Sequence, residues 1–491
     1  MKSLKTNAKY YKWLVLSCTT IGALMSVLSG GTLMIALPVL MRDLHSGMNI
    51  AVWILMGYML SMTVLVPSIG RIADMVGRKK LYISGFVIFT ASSLLCSLSQ
   101  NGVQLLVFRL VQSVGGSLMV ANSTAIVADV FPPTELGSAM GINSMVISVA
   151  SVLGPILGGF LVTIGWRSIF WINVPIGIIG TIWAAIQIKE KKRKDTDAGG
   201  QPVPKETFDF FGTLFFTVGL LALLGALSLG GFGSWLSPAV IAMFAAAAVF
   251  LGAFIAVETH IQSPMLDLTL FKSRDLTFAY LSNLLNGIAR GAIMFLLIFF
   301  LQGIKSIDPV TAGVLLAPMA IPMIIFAPIS GHFSDKFGAR FFTTSGLLIS
   351  ALGLLLLAFI KPDTSIFLIC AFMFIAGIGS GLFISPNSSS ILNSVPSNRR
   401  GVASGMRTMC QNAGSVLSIA ISMAVVASSI SPEAMQALFI GTQVGSQGIH
   451  VSSFITGLSQ AFIMSCVFSV IAAVMAFMNK DEARLRRIAR G

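Results

Sequence analysis

Charge is what this sequence has least of. Of its 491 residues only 10% are Asp, Glu, Lys or Arg, where a soluble domain carries about 25%. That scarcity excludes a water-facing surface of ordinary composition, and a 55% hydrophobic content excludes intrinsic disorder. Cysteine is scarce as well. Cys18, Cys96, Cys370, Cys410 and Cys466 are odd in number, scattered through apolar stretches and never spaced CxxC, so neither a disulfide framework nor a zinc site is indicated. The four histidines lie far apart and suggest no metal. No GxxxxGK[ST] loop exists to cradle phosphates. With no catalytic cluster either, an enzyme is the least supported class, and no cofactor is expected.

Long apolar runs are abundant. A spanning helix needs roughly 20 apolar residues. Fourteen such runs occur, at 13–40, 50–70, 81–99, 104–128, 138–163, 168–188, 209–230, 236–257, 276–301, 309–331, 341–360, 364–391, 402–428 and 454–478. The first follows Lys2, Lys5, Lys9 and Lys12 like a secretory signal. It is too long for that and lacks a small-residue cleavage site, so it reads as a retained span. Of the 32 Lys and Arg residues, 25 fall on the two ends and on alternate connecting segments. Four lie on the opposite segments (Arg42, Arg167, Lys305, Lys361), and three fall inside spans (Arg109, Arg290, Arg407). The positive-inside bias places both termini in the cytoplasm. It also accounts for the net charge of +14 without a nucleic-acid partner.

The chain repeats itself. GRIADMVGRKK at 70–80 and GHFSDKFGAR at 331–340 share the pattern G-x-x-x-D-x-x-G-x-R/K. Gly115-Gly116-Ser117-Leu118 and Gly379-Ser380-Gly381-Leu382 recur at nearly the same offset. Parallel repeats of this kind are one plan of secondary transporters. The expected fold is all-α and polytopic: a six-helix bundle over 1–190, a cytoplasmic linker with inserted spans 7 and 8 over 191–275, and a second six-helix bundle over 276–491. The charged linker 189–209 reads as a tether with affinity for anionic lipid. The polar segment 429–453, free of Lys and Arg, reads as an outer surface hairpin.

In GRIADMVGRKK, Gly70 and Gly77 permit a sharp turn and close helix approach. Asp74 can accept hydrogen bonds from helix N-terminal amides or pair with Arg78. One copy is compatible with an ordinary charged loop; a second at the matching place is not. The motif resembles the signature loop of the major facilitator superfamily, and the resemblance extends along nearly the whole chain. It implies a conformational latch built from Gly70, Asp74, Gly77, Arg78 and Lys79, with Asp129 as a further partner and Gly331, Asp335, Gly338 and Arg340 as the second copy. In span 5, Ala150, Gly154-Pro155 and Gly158-Gly159 resemble the superfamily's antiporter motif, with Ala where its first Gly is usual. GWRSIFWINVPIG at 165–177 resembles the span 5–6 signature of the fourteen-span drug:proton antiporters, the EmrB/QacA-like branch.

The departures concern charge. That branch usually carries an Asp in span 1, where this chain has Ser29 in SGGTLMIALP. None of the 18 acidic residues lies near the middle of a span; Asp43, Asp129, Asp209 and Glu258 lie at ends. Basic and amide residues stand inside instead: Arg109 and Gln112 in span 4, and Asn283, Asn286 and Arg290 in span 9. Arg290 is about 21 Å into its span and is the repeat counterpart of Ser29. It is either a structural Arg paired with carbonyls or a ligand site. Arg407, nearer the cytoplasm, is expected to snorkel outward. The resemblance implies a monomeric alternating-access exporter of amphipathic or hydrophobic small molecules, with protons as coupling ion and membrane lipids as surroundings. The alternative is a flippase or facilitator for an anionic lipid-like amphiphile, using Arg290 and Arg109 as counter-charges.

Overall fold

In lipid every backbone amide must be satisfied within its own segment, so long apolar runs become helices. The computed structural model describes residues 2–44, 46, 48–189, 209–232, 235–261, 266, 272–396, 399–429 and 451–479. The linker 190–208, most of the expected hairpin (430–450) and the tail from 480 lie outside the described residues. The first bundle comprises α1 (Lys2–Asp43), α2 (Met48–Val76), α3 (Arg78–Ser97), α4 (Gly102–Val130), α5 (Leu136–Ile164), α6 (Ser168–Trp171) and α7 (Asn173–Gln187). The inserted pair is α8 (Phe210–Phe232) and α9 (Pro238–Glu258). The second bundle comprises α10 (Arg274–Phe299), α11 (Pro309–Leu315), α12 (Ala317–Phe337), α13 (Ala339–Ala358), α14 (Ile366–Asn393), α15 (Arg400–Ala427) and α16 (Val451–Met478). Fourteen helical spans result among the described residues, α6 with α7 and α11 with α12 each counting as one.

Two expectations change. The repeated motif is not a loop: α2 runs through Gly70 to Val76 and α12 through Gly331 to Phe337. Only Gly77 and Gly338 turn the chain, at φ 112° and 93°, a region closed to residues with a Cβ. Spans 6 and 10 are each broken near the end away from the repeated motif, at Ile172 and Leu316.

The repeat is structural. α3 crosses α4 where Gly85 faces Gly115, and α13 crosses α14 where Gly346 faces Gly379. The bundles have separate apolar cores. One gathers Met25, Tyr82, Phe86, Phe89 and Met119. Another gathers Ile293, Leu297, Leu354, Met373 and Phe462. A third core crosses the seam between bundles. In it Phe216, Leu220 and Leu224 of α8 and Phe254 of α9 pack with Leu60 and Val64 of α2 and with Val402, Ala403 and Met406 of α15. The inserted pair therefore lies against both halves, over the α2–α15 seam.

Candidate functional site

Each bundle lends a carboxylate to a helix of the other. Asp74, near the end of α2, accepts from the amides of Gly401 and Val402 at 3.1 Å each, the first free donors of α15. Asp335, near the end of α12, accepts from Gly137 N at 2.9 Å and Ser138 N at 3.0 Å, the first free donors of α5. A helix N-terminus is a ready anion site because its amides lack partners and its dipole is positive there. The approach this requires is provided by glycine: a Cβ on Gly70 would strike the Gly401 carbonyl, and one on Gly331 the Gly137 carbonyl. Further bonds join the halves at the same end, from Ser385 Oγ to the Gly137 carbonyl (2.8 Å) and between the Thr124 and Ser404 hydroxyls.

Charge reinforces the first clasp. Arg78 donates to Asp74 Oδ1 at 2.6 Å and to Asp129, and Arg400 of the other bundle stands 3.8 Å from Asp129. Arg400 also donates to the Ala128 carbonyl. The repeat partner of Asp129 is Asn393, which donates to the Pro133 carbonyl at 3.5 Å. Lys79 is tied within its own bundle, to the Ala185 carbonyl at 2.9 Å. Arg340 lies 4.1 Å over the Phe477 ring.

The antiporter-like face of α5 packs on α1. Gly154 abuts Gly31, and a Cβ on Gly158 would lie 2.8 Å from Thr32 Cα. Ala150 is fully buried, Gly159 is buried, and Pro155 lies in the same helix.

The membrane-embedded cations differ in their surroundings. Arg109 is 1% exposed. It donates to Ser29 Oγ at 2.9 Å and Gln112 Oε1 at 2.6 Å, with its guanidinium 4.1 Å over the Tyr58 ring. Gln112 passes the chain on to Ser93 Oγ at 2.6 Å. Ser29 thus serves Arg109, a contact that no spacing in the sequence signals. Asn283 donates to the Arg407 carbonyl at 2.7 Å, and Asn286 is buried beside it. Arg407 corrects an expectation: it is 8% exposed and donates to Gln411 Oε1 at 3.3 Å, one turn deeper along α15, rather than snorkelling out. The apolar seam core, with Tyr280 of α10 and Met406 and Cys410 beside Arg407 in α15, packs around this stretch of the helix and keeps it from water.

Arg290 is only partly buried, although it stands roughly 24 Å from the start of α10. Among the described residues its hydrogen-bond partner is the Met323 thioether, at 3.3 Å. A thioether is a weak acceptor, so this bond satisfies the guanidinium poorly. Among the described residues no group of three His, Cys, Asp or Glu could hold a metal ion.

Two helical bundles joined at one membrane end by polar clasps, with cations on their inner helices, have the architecture of a membrane carrier. Comparison with known proteins gives the family. The Major Facilitator Superfamily model matches residues 19–263 and 279–490, and the chain belongs to that superfamily. It is 32% identical over 476 residues to the riboflavin transporter RibZ of Clostridioides difficile (strain 630), covering 96% of this chain and 98% of that one. It is 32% identical over 429 residues to the multidrug transporter protein MdtP of Bacillus subtilis (strain 168), covering 87% and 77%. Multidrug transporters among its relatives agree with the drug-efflux branch that the motifs resemble. The crystal structure of the human organic anion transporter MFSD10 (TETRAN) shares the fold, with a TM-score of 0.64 at 14% identity over 93% of this chain and 99% of that one.

Proposed function

We propose that this transporter exports amphipathic small molecules across the cytoplasmic membrane, driven by a proton gradient, with both termini in the cytoplasm. The two Asp–amide clasps are its latch. They hold the cytoplasmic ends of the bundles together while the outer side loads or releases, and they part when the bundles rock. The positive-inside distribution of Lys and Arg supports this orientation. Relatives named for multidrug and riboflavin transport support a small organic substrate.

The observation that carries the substrate class is Arg290, a partly open guanidinium at mid-span with a thioether for a partner. Where water cannot screen it, this charge repels cations and attracts acidic or polarisable groups. Neutral and anionic amphiphiles are therefore the favoured cargo. The same observation favours a second mechanism for the same cargo, a facilitator or flippase that uses no proton.

Purified protein in proteoliposomes separates the two. Export of a neutral and an anionic amphiphile that rises with an imposed proton gradient supports the antiporter. Movement of the anion that ignores the gradient supports the facilitator. Robust export of a quaternary ammonium compound, unchanged in Arg290→Ala, would refute the charge preference.

A further inference from the structure

Away from the central helices, a second polar group is buried at the latch end of the inserted pair. Asp209 precedes α8 and caps it, its Oδ1 accepting from Gly212 N at 2.8 Å. Glu258 ends α9, its Oε1 accepting from Leu266 N. Each carboxyl is thus held by one oxygen. Their second oxygens, Asp209 Oδ2 and Glu258 Oε2, both reach the space over the Gly212 Cα, where a Cβ would collide with the one and lie 2.9 Å from the other. The two carboxyls therefore lie side by side over Gly212. Both second oxygens are buried and neither has a donor. Asp209 is 3% exposed and Glu258 5%. Arg71 of α2, 1% exposed, lies within electrostatic reach of the pair.

Ionised carboxylates only accept hydrogen bonds. Two of them side by side, out of water, are stabilised when one takes up a proton that it can share with the other. With that proton the pair holds a single negative charge, which Arg71 balances. Without it a net negative charge is left where water does not reach, at several-fold greater electrostatic cost than on a surface.

We propose that Asp209 and Glu258 form a proton-binding site, separate from the central cations, that serves proton coupling in this transporter. Its ligand is one proton taken from water onto a carboxylate oxygen and returned to water on release; no other bond changes. The site meets the latch through Arg71, which lies between Gly70, where α2 crosses α15, and Asp74, which caps α15. Among the described residues the cation whose charge reaches the site is Arg71; the Asp74–Arg78–Asp129–Arg400 cluster begins one turn further along α2. Losing the proton doubles the negative charge beside Arg71 and changes the field at the clasp. The coupling role rests on the proton-driven reading above; the existence of the site does not.

Infrared spectroscopy of the full-length wild type in lipid reads the site directly, independently of substrate and gradient. A protonated-carboxyl stretching band is expected at about pH 7, where isolated carboxylates are ionised. Glu258→Gln and Asp209→Asn, which supply an amide donor to the remaining carboxylate, should each lose it. Arg71→Gln should retain the band to higher pH, because removing the cation favours the protonated form. A wild-type spectrum without the band, or a band left intact in both Glu258→Gln and Asp209→Asn, overturns the site. Coupling has its own readout: Glu258→Gln should lose gradient-driven accumulation, and retention of it overturns that role. Wild-type transport indifferent to the gradient would remove the coupling, while the band still decides the site.

Discussion

At the scale of single residues, what matters is whether a charge in the membrane has found its complement. Asp74 has found several: two amides of α15 and the guanidinium of Arg78. In Asp74→Asn those bonds lose their ionic character, worth about 1–2 kcal/mol, or about a tenfold fall in the closed-latch population. Transport should drop sharply at normal expression and membrane insertion, as measured by uptake and by immunoblot. Asp129→Asn should act in the same direction and less strongly, since it frees Arg78 and Arg400 without touching the helix-capping bonds. Arg290, among the described residues, has a thioether for its partner. Arg290→Ala should weaken transport of anionic substrates most, and Arg290→Lys should rescue it in part, because Lys lacks the planar fork that grips a carboxylate. A substrate panel on the three proteins checks this.

Helices meet here through small residues, and the spacing of those residues governs which pairs can touch. Gly158 of α5 stands against the backbone of α1 at Thr32. Gly158→Leu must push the two helices apart, at a cost of about 1–3 kcal/mol or more. It should block transport where Ala150→Gly does not, in parallel uptake assays at matched expression. The apolar runs made the span number visible in the sequence, and the glycine and aspartate spacing, written twice, made the parallel repeat and the Asp74–Arg78 pair visible. Other features were hidden for physical reasons. The helical continuation through Gly70 looked like a loop because glycine serves both turns and close crossings, and only φ distinguishes them. Ser29 with Arg109 and Asp209 with Glu258 are contacts between segments far apart in the chain, and no local period encodes them. Arg407 was misjudged because its position along the span was visible but the seam core enclosing it was not.

For the whole molecule, orientation is the property most open to test. With both termini inside, a single cysteine at Asp195→Cys should react with an impermeant maleimide only from the cytoplasm, and one at Lys361→Cys only from outside. Labelling of both from the same side would mean that the spans between them are miscounted by an odd number.

The inserted pair also affects the molecule as a whole. α8 and α9 cover the seam where α2 meets α15. At the other seam, where α5 meets α12, outward side chains such as Phe160, Ile325 and Ile329 remain exposed. Twofold repetition alone would leave the two seams equally uncovered, and the insert makes them unequal. Acyl chains wet the molecule along the α5–α12 side, so lipid thickness and fluidity act on the opening of the two bundles from one flank.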